Sequence, residues 1–306
     1  MPAIQHCQAR LVLGLACACA CGRRDLPSKA SASAVPSASA APSAAPVTSQ
    51  RMPIPHFSQA KPGCRALAVT GLVTVDGAPI QTSTLLDGAH WVELAAGASV
   101  ALRHTLTSRE FKLIGPGHAL PCRDGSEQIL LADGQLSTSA NLGVRPGAEV
   151  LIATPEGAVH YGDAALDLEF AEKGLRVRVK QGEAWVEPEP RNKPQFKNPV
   201  RSGAELRLPR THPKSQALVL ACQRSAEAAH ESAERVLSAE GSGGNDSLGA
   251  RAAVHMRERS KARTACAIAA AAVFADSDPA NRQSLSASVV QADELWQSVP
   301  RPRAAR

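Results

Sequence analysis

Side chains able to do chemistry are few in this 306-residue chain, and the most suggestive grouping is His230-Glu231-Ser232-Ala233-Glu234. A zinc-protease helix carries His-Glu-x-x-His, in which two imidazoles on one face hold the metal and the glutamate serves as general base. Here the fifth position is Glu234, so the second imidazole is missing and no catalytic zinc is expected. The chain has no Gly-x-Ser-x-Gly nucleophile elbow, no phosphate-binding loop and no dinucleotide fingerprint. His104, His118 and His160 alternate with apolar residues or lie near turns, the setting of structural or surface histidines. The sequence points to no enzyme, no metal and no cofactor.

The remaining chemistry is that of cysteine. Arg10 precedes an apolar stretch, Leu11 to Ala16, which ends in Cys17-Ala18-Cys19-Ala20-Cys21-Gly22. That order reads as a signal peptide over residues 1–20. Its apolar core is about ten residues long, against roughly 20 for a helix that spans a bilayer. A small residue directly before a cysteine at the end of such a core is the arrangement in which the thiol receives lipid. Cys21 uses the whole stretch and is the favoured site, with Cys17 and Cys19 as alternatives. A plain secretory signal with spare cysteines and a metal-binding cluster are the other readings, although thiols at every second residue suit zinc poorly. The expectation is an exported protein, anchored to a membrane by lipid and facing the periplasm or the cell surface.

Export permits disulfides among the other cysteines. Cys222 and Cys266 are equidistant from Gly244, inside the breaker run Gly241-Ser242-Gly243-Gly244-Asn245-Asp246. Two antiparallel helices flanking that run bring the thiols to the same height. Cys64 with Cys122 follows by elimination, and free buried thiols are the alternative for both pairs.

These residues need elements to position them. Residues 21–63 are mostly Ser, Ala, Pro and Val, and between Lys29 and Gln50 the single charge is Lys29. Such a stretch cannot bury enough apolar surface to offset ordering entropy, so a disordered tether is expected. Residues 64–210 then alternate short apolar runs with turn dipeptides: Asp76-Gly77, Asp87-Gly88, Asp124-Gly125, Asp133-Gly134, Lys173-Gly174 and Gln181-Gly182. Many short strands follow from this spacing. Leu175-Arg176-Val177-Arg178-Val179-Lys180 has a strict period of two, and Leu166-Asp167-Leu168-Glu169-Phe170 repeats it with acids outward. The two predict a hairpin whose register is helped by Asp or Glu against Arg.

One part of this region resembles a known family. Val150-Leu151-Ile152-Ala153-Thr154-Pro155-Glu156-Gly157, followed by His160-Tyr161-Gly162-Asp163-Ala164, is similar to the central signature of FecR domains. There a strand ends in Thr-Pro, a glycine turn follows, and a second glycine precedes an alternating strand. Val177, Val179 and Gly182-Glu183-Ala184-Trp185-Val186 resemble its closing pattern, while Leu86-Asp87-Gly88-Ala89, Trp91-Val92-Glu93-Leu94 and Ala98-Ser99-Val100-Ala101-Leu102 match its glycine-turn strands more loosely. The signature positions are Thr154, Pro155, Gly157, Gly162 and Gly182. Here Asp163-Ala164 stands where Gly-Thr usually continues. The resemblance implies a β-sandwich or solenoid-like roll with an extracytoplasmic sensing role.

Residues 211–300 turn rich in Ala, Glu, Arg and Gln, and predict a helical hairpin plus a third helix: Ser215 to Glu240, Ser247 to Ala275, and Pro279 to Val299. Asp278 caps the third, with Pro279 at its first position, and Leu285, Val289, Ala292 and Trp296 form one face. The alanine-rich Ala265 to Ala275 run is too short to span a membrane and suits close packing. Residues 301–306 form a solvated tail. The net charge of +6 and aromatic content of 3% come without a basic cluster carrying stacking rings, so nucleic acid is not an expected partner. The fold class is mainly β followed by helices. The expected function is a lipid-anchored sensor or regulator that binds an envelope protein or ligand, or alternatively a structural lipoprotein of an envelope complex.

Overall fold

The computed structural model describes residues 63–123, 127–140, 149–188, 198–212, 214–240 and 245–298. The signal, nearly all of the tether, Cys17, Cys19, Cys21, Asp124-Gly125, residues 241–244 of the breaker run and the 301–306 tail lie outside the described residues.

The described residues are mainly β, followed by three helices. Its strands are β1 (Cys64–Thr70), β2 (Val73–Val75), β3 (Ala78–Pro79), β4 (Leu85–Leu86), β5 (Val92–Leu94), β6 (Ser99–His104), β7 (Glu110–Arg123) and β8 (Gln128–Thr138). Then come β9 (Val150–Thr154), β10 (Gly157–Tyr161), β11 (Ala165–Ala171), β12 (Gly174–Gln181), β13 (Glu183–Pro188), β14 (Asn198–Arg201) and β15 (Glu205–Pro209). The helices are α1 (Ser215–Glu240), α2 (Asn245–Ala275) and α3 (Pro279–Ser298).

Two long strands hold the β region together. The first part of β7, Glu110 to Ile114, pairs with β6, whereas Gly117 to Ala119 pairs with β5. Likewise β8 pairs through Gly134 to Ser137 with β11 and through Gln128 to Leu130 with β9. The hairpin of β7 and β8 therefore serves two sheets. One runs β4-β1-β6-β7-β8-β11-β12-β15, the other β3-β2-β5-β7-β8-β9-β10-β13-β14. Among the described residues all pairings are antiparallel except β8 with β9.

The corner lies where Gly115-Pro116-Gly117 crosses Asp133-Gly134. A Cβ on Gly117 would sit 2.6 Å from the Asp133 carbonyl oxygen and 2.7 Å from the Gly134 Cα. No side chain fits there. Asp133-Gly134, expected as a turn between strands, is therefore interior to β8. Its glycine, at φ +103°, is required by the close approach of two backbones rather than by a chain reversal.

Alternation sorts the side chains into two cores. Val100, Leu113, Leu136, Leu168, Phe170 and Val177 of the first sheet meet Val92, Ile129, Ile152, Val159, Tyr161 and Val186 of the second. This is the inside of a sandwich. The opposite face of the second sheet carries Leu120, Leu130, Leu151, Ala153 and Ala158, which join the helices in a separate core. Here α2 lies on the sheet through its alanine-rich run, buried from Ala265 to Phe274. Small side chains let α2 approach its neighbours closely. Trp91 stacks on Phe274 with ring centroids 4.0 Å apart. Beside it His118 Nδ1 lies 2.8 Å from Asp133 Oδ1, and that hydrogen bond raises the imidazole pKa above its usual value.

The hairpin of β11 and β12 has the register read from its charges, with Asp167 opposite Arg178 and Glu169 opposite Arg176. Helix α3 begins with Asp278 Oδ1 accepting from the Ala280 amide at 2.9 Å. Val289, Ala292 and Trp296 form its buried face against α1 and α2, with Leu285 partly buried beside them. Disulfides join Cys222 to Cys266, with Cα atoms 4.5 Å apart, and Cys64 to Cys122, at 5.8 Å. Among the described residues, no helix is long and apolar enough to cross a membrane. Replacing Cys222 and Cys266 together by alanine should lower stability by roughly 2–4 kcal/mol. Urea denaturation of the oxidised protein against that variant checks it.

Candidate functional site

The residues that resemble the FecR signature lie at the turn between β9 and β10 and around its neighbours. Thr154 is buried, and its hydroxyl donates to the Gly157 carbonyl at 3.0 Å, closing the Thr154-Pro155-Glu156-Gly157 turn. Gly157 has φ +149°, and a Cβ there would sit 2.4 Å from the Glu187 carbonyl oxygen. The missing side chain is what lets β10 pair with the end of β13. Gly182, at φ +85°, is similarly crowded, with the Asp163 carbonyl oxygen 2.5 Å from its ideal Cβ. Gly162 faces open space, and its carbonyl accepts from Arg109 Nη1 at 2.9 Å.

Glu156, in the middle of the turn, is only 2% exposed. Its carboxylate accepts from the Thr211 amide at 2.9 Å, the Thr211 hydroxyl at 2.5 Å and the His212 amide at 3.2 Å. A buried carboxylate is tolerated only with such partners. It fastens the signature turn to the segment that leads from β15 into α1. The two ends of that contact are 55 residues apart, and no local pattern announces it.

The fastening forms one wall of a cleft of about 770 Å³ between the sandwich and the helices, with Pro155, Glu156, Glu172, Arg210, His212, Lys214, Ser215, Asp276 and Asn281 along it. Two of its acids are used internally. Glu156 is saturated as described, and Asp276 accepts from the Ser215 hydroxyl at 2.8 Å and the Asp278 amide at 3.0 Å. The Arg210 guanidinium lies over the Phe170 ring, 5.3 Å from its centroid. Arg210, His212 and Lys214 therefore face Glu172 as the side chains best placed to meet a solute or a partner.

A second polar cluster is buried at another set of turns. Arg109, 3% exposed, reaches Glu127 Oε1 at 3.4 Å and Asp163 Oδ1 at 3.6 Å. The Thr107 hydroxyl donates to Glu127, and His104 Nδ1 lies 3.0 Å from Thr107 Oγ1. Burial pushes the Tyr161 hydroxyl pKa far up, and that ring lies beneath Arg109 at 5.8 Å. These groups bind one another, so the cluster ties three turns of the sandwich together.

The wet face of the first sheet carries a charged ladder over a shallow groove of about 370 Å³, bordered by Ser137, Asp167, Arg176 and Arg178. Hydrogen bonds from Arg176 and Arg207 hold the Glu205 carboxyl at about 2. At Asp167 burial acts to raise the pKa, but hydrogen bonds from Lys180 and Ser137 outweigh it and the net shift is downward.

The His230 imidazole pairs with Glu234 at 3.5 Å along α1. Among the described residues no three His, Cys, Asp or Glu side chains converge to hold a metal ion. Trp91 belongs to the core between sheet and helices, and Trp185 is a partly exposed residue of β13.

No family model and no curated protein matches this chain. Among solved structures, a candidate anti-sigma factor from Parabacteroides distasonis aligns at 12% identity and a TM-score of 0.31, over 43% of this chain and 64% of that one. The aligned part spans less than two thirds of that protein, and a likeness of this size assigns neither a fold family nor a function.

Replacing Glu156 by alanine leaves the Thr211 and His212 donors without their acceptor and should cost roughly 1–3 kcal/mol. Glu172→Ala on the same cleft should stay within about 0.5 kcal/mol. Parallel urea titrations of the two variants check the contrast.

Proposed function

We propose that this chain is a non-enzymatic, lipid-anchored extracytoplasmic regulatory protein with a FecR-type domain, which binds an envelope partner or ligand through the cleft at its signature turn. The observation that carries the reading is the coincidence of that turn with the cleft. Thr154, Pro155 and Gly157 shape the loop, and Pro155 and Glu156 line the cavity beside Arg210, His212 and Lys214. Binding residues collect on loops that a rigid scaffold positions, and this loop is held by a buried carboxylate.

Two disulfides support an oxidising compartment. The Cys17-Ala18-Cys19-Ala20-Cys21 run supports lipid attachment, with Cys21 as the acceptor. The Ser/Ala/Pro-rich composition of residues 21–63 supports a tether between that lipid and the β domain. The reading is recognition rather than catalysis, because Glu156 and Asp276 of the cleft are engaged internally and Arg210, Lys214 and Glu172 beside them carry opposite charges.

Intact mass of protein from membranes of a lipidating bacterium should begin at Cys21 with three acyl chains and lack four hydrogens. A Cys21→Ser variant should lose the lipid and leave the membrane fraction. An unmodified full-length mass would overturn the anchoring.

The regulatory role has its own test in a strain whose own copy carries Arg210→Glu and Lys214→Glu. A changed transcript profile at an unchanged protein level is expected. Unchanged transcripts would leave a structural lipoprotein of an envelope complex as the reading.

A further inference from the structure

Helix α3 is attached differently from the rest of the molecule. The sandwich is cross-linked through Cys64 and Cys122, and α1 to α2 through Cys222 and Cys266, whereas no disulfide reaches α3 among the described residues. Its buried residues are Ser286, Val289, Ala292, Asp293 and Trp296, with Leu285, Val290 and Leu295 partly buried beside them. At its centre is a charge. Asp293, whose side chain is 3% exposed, forms an ion pair with Arg123 of β7, which is fully buried. Asp293 also accepts from Trp296 Nε1 at 2.9 Å and from Gln297 Nε2 at 2.6 Å. The Arg259 guanidinium of α2 lies over the Trp296 ring at 5.3 Å. Gln128, opposite Arg123 in the sheet, is fully buried on the same face, and neither of its amide atoms has a hydrogen-bond partner among the described residues.

A buried ion pair contributes little net stability, because desolvating both charges offsets most of their attraction. Losing one partner is costly, since the other charge stays buried alone. A helix seated on this pair, with Val289, Ala292 and Trp296 as its buried apolar side chains, therefore stays docked or leaves as a unit.

We propose that α3 is a reversibly docked cover. It leaves as a unit while both sheets and the cross-linked α1 and α2 stay folded, and the Arg123–Asp293 pair is the latch that decides between the two states. Opening exchanges the Asp293 partner of Arg123 for water and gives water to the Gln128 amide, whose two polar atoms have no partner in the closed state among the described residues. It goes beyond the cleft-binding reading and does not depend on it.

Hydrogen exchange of the oxidised full chain near neutral pH, read by mass spectrometry, tests the proposal. The slowest amides of α3 should exchange at least about tenfold faster than those of α1, α2 and β8. Asp293→Asn should accelerate α3 by a further tenfold or so while leaving α1, α2 and β8 unchanged. The double variant Arg123→Met with Asp293→Leu, which removes both charges, should return α3 to its native protection or above. Equal protection of α3 and α1 in the native chain would overturn the proposal, and so would an Asp293→Asn effect spread over all elements. The comparison within the native chain decides even where a variant fails to fold.

Discussion

Strands β9 and β10 have no side chain that reaches water: all ten residues from Val150 to Thr154 and from Gly157 to Tyr161 are buried. A sheet with two apolar faces needs a cover on each. On one side the cover is the first sheet, whose own outer face is charged and wet. On the other it is the alanine-rich stretch of α2, with α1 and α3 packed around it. The order of the molecule, sheet on sheet on helices, follows from this one requirement. It also explains why the helices form a third layer over the sandwich instead of standing apart.

Such layering leaves charged groups in awkward places, and three of them are met by specific partners. Glu156 takes three donors from the segment that turns from strand to helix. Arg109 gathers Glu127, Asp163 and the Gly162 carbonyl at the rim of the sandwich. Arg123 meets Asp293 beneath α3. These contacts give direction to surfaces that apolar packing alone would leave free to slide, since charge pairs tolerate few arrangements. Through Glu156 the connector lies against the β9–β10 turn, beside the cleft.

How much of this was legible in the sequence depended on the range of the interaction. The hairpin of β11 and β12 was readable with its register, because period-two alternation and opposite charges are local to about fifteen residues. The start of α3 was readable from Asp278-Pro279, and the Cys222–Cys266 bridge from symmetry about the glycine run, since two antiparallel helices convert sequence distance into height. The helix bounds came out close for the same reason: Ser215 and Pro279 begin their helices as expected, and α2 starts two residues earlier than Ser247.

What misled was a local signal with a non-local cause. Asp133-Gly134 has the composition of a turn, yet its glycine serves the crossing of β7 over β8, which only the folded pair creates. Glu156, Arg109, Arg123 and Asp293 carry no mark in the sequence, because an ordinary acid or base becomes a buried anchor only when a distant element covers it. The sequence by itself determined which residues alternate, where α1 and α3 begin and that Cys222 can meet Cys266, all consequences of backbone period and local capping. The tertiary structure alone decided that one sheet is covered twice, that the signature turn borders a cleft and that α3 rests on a buried charge, because burial is a property of the neighbours a residue acquires.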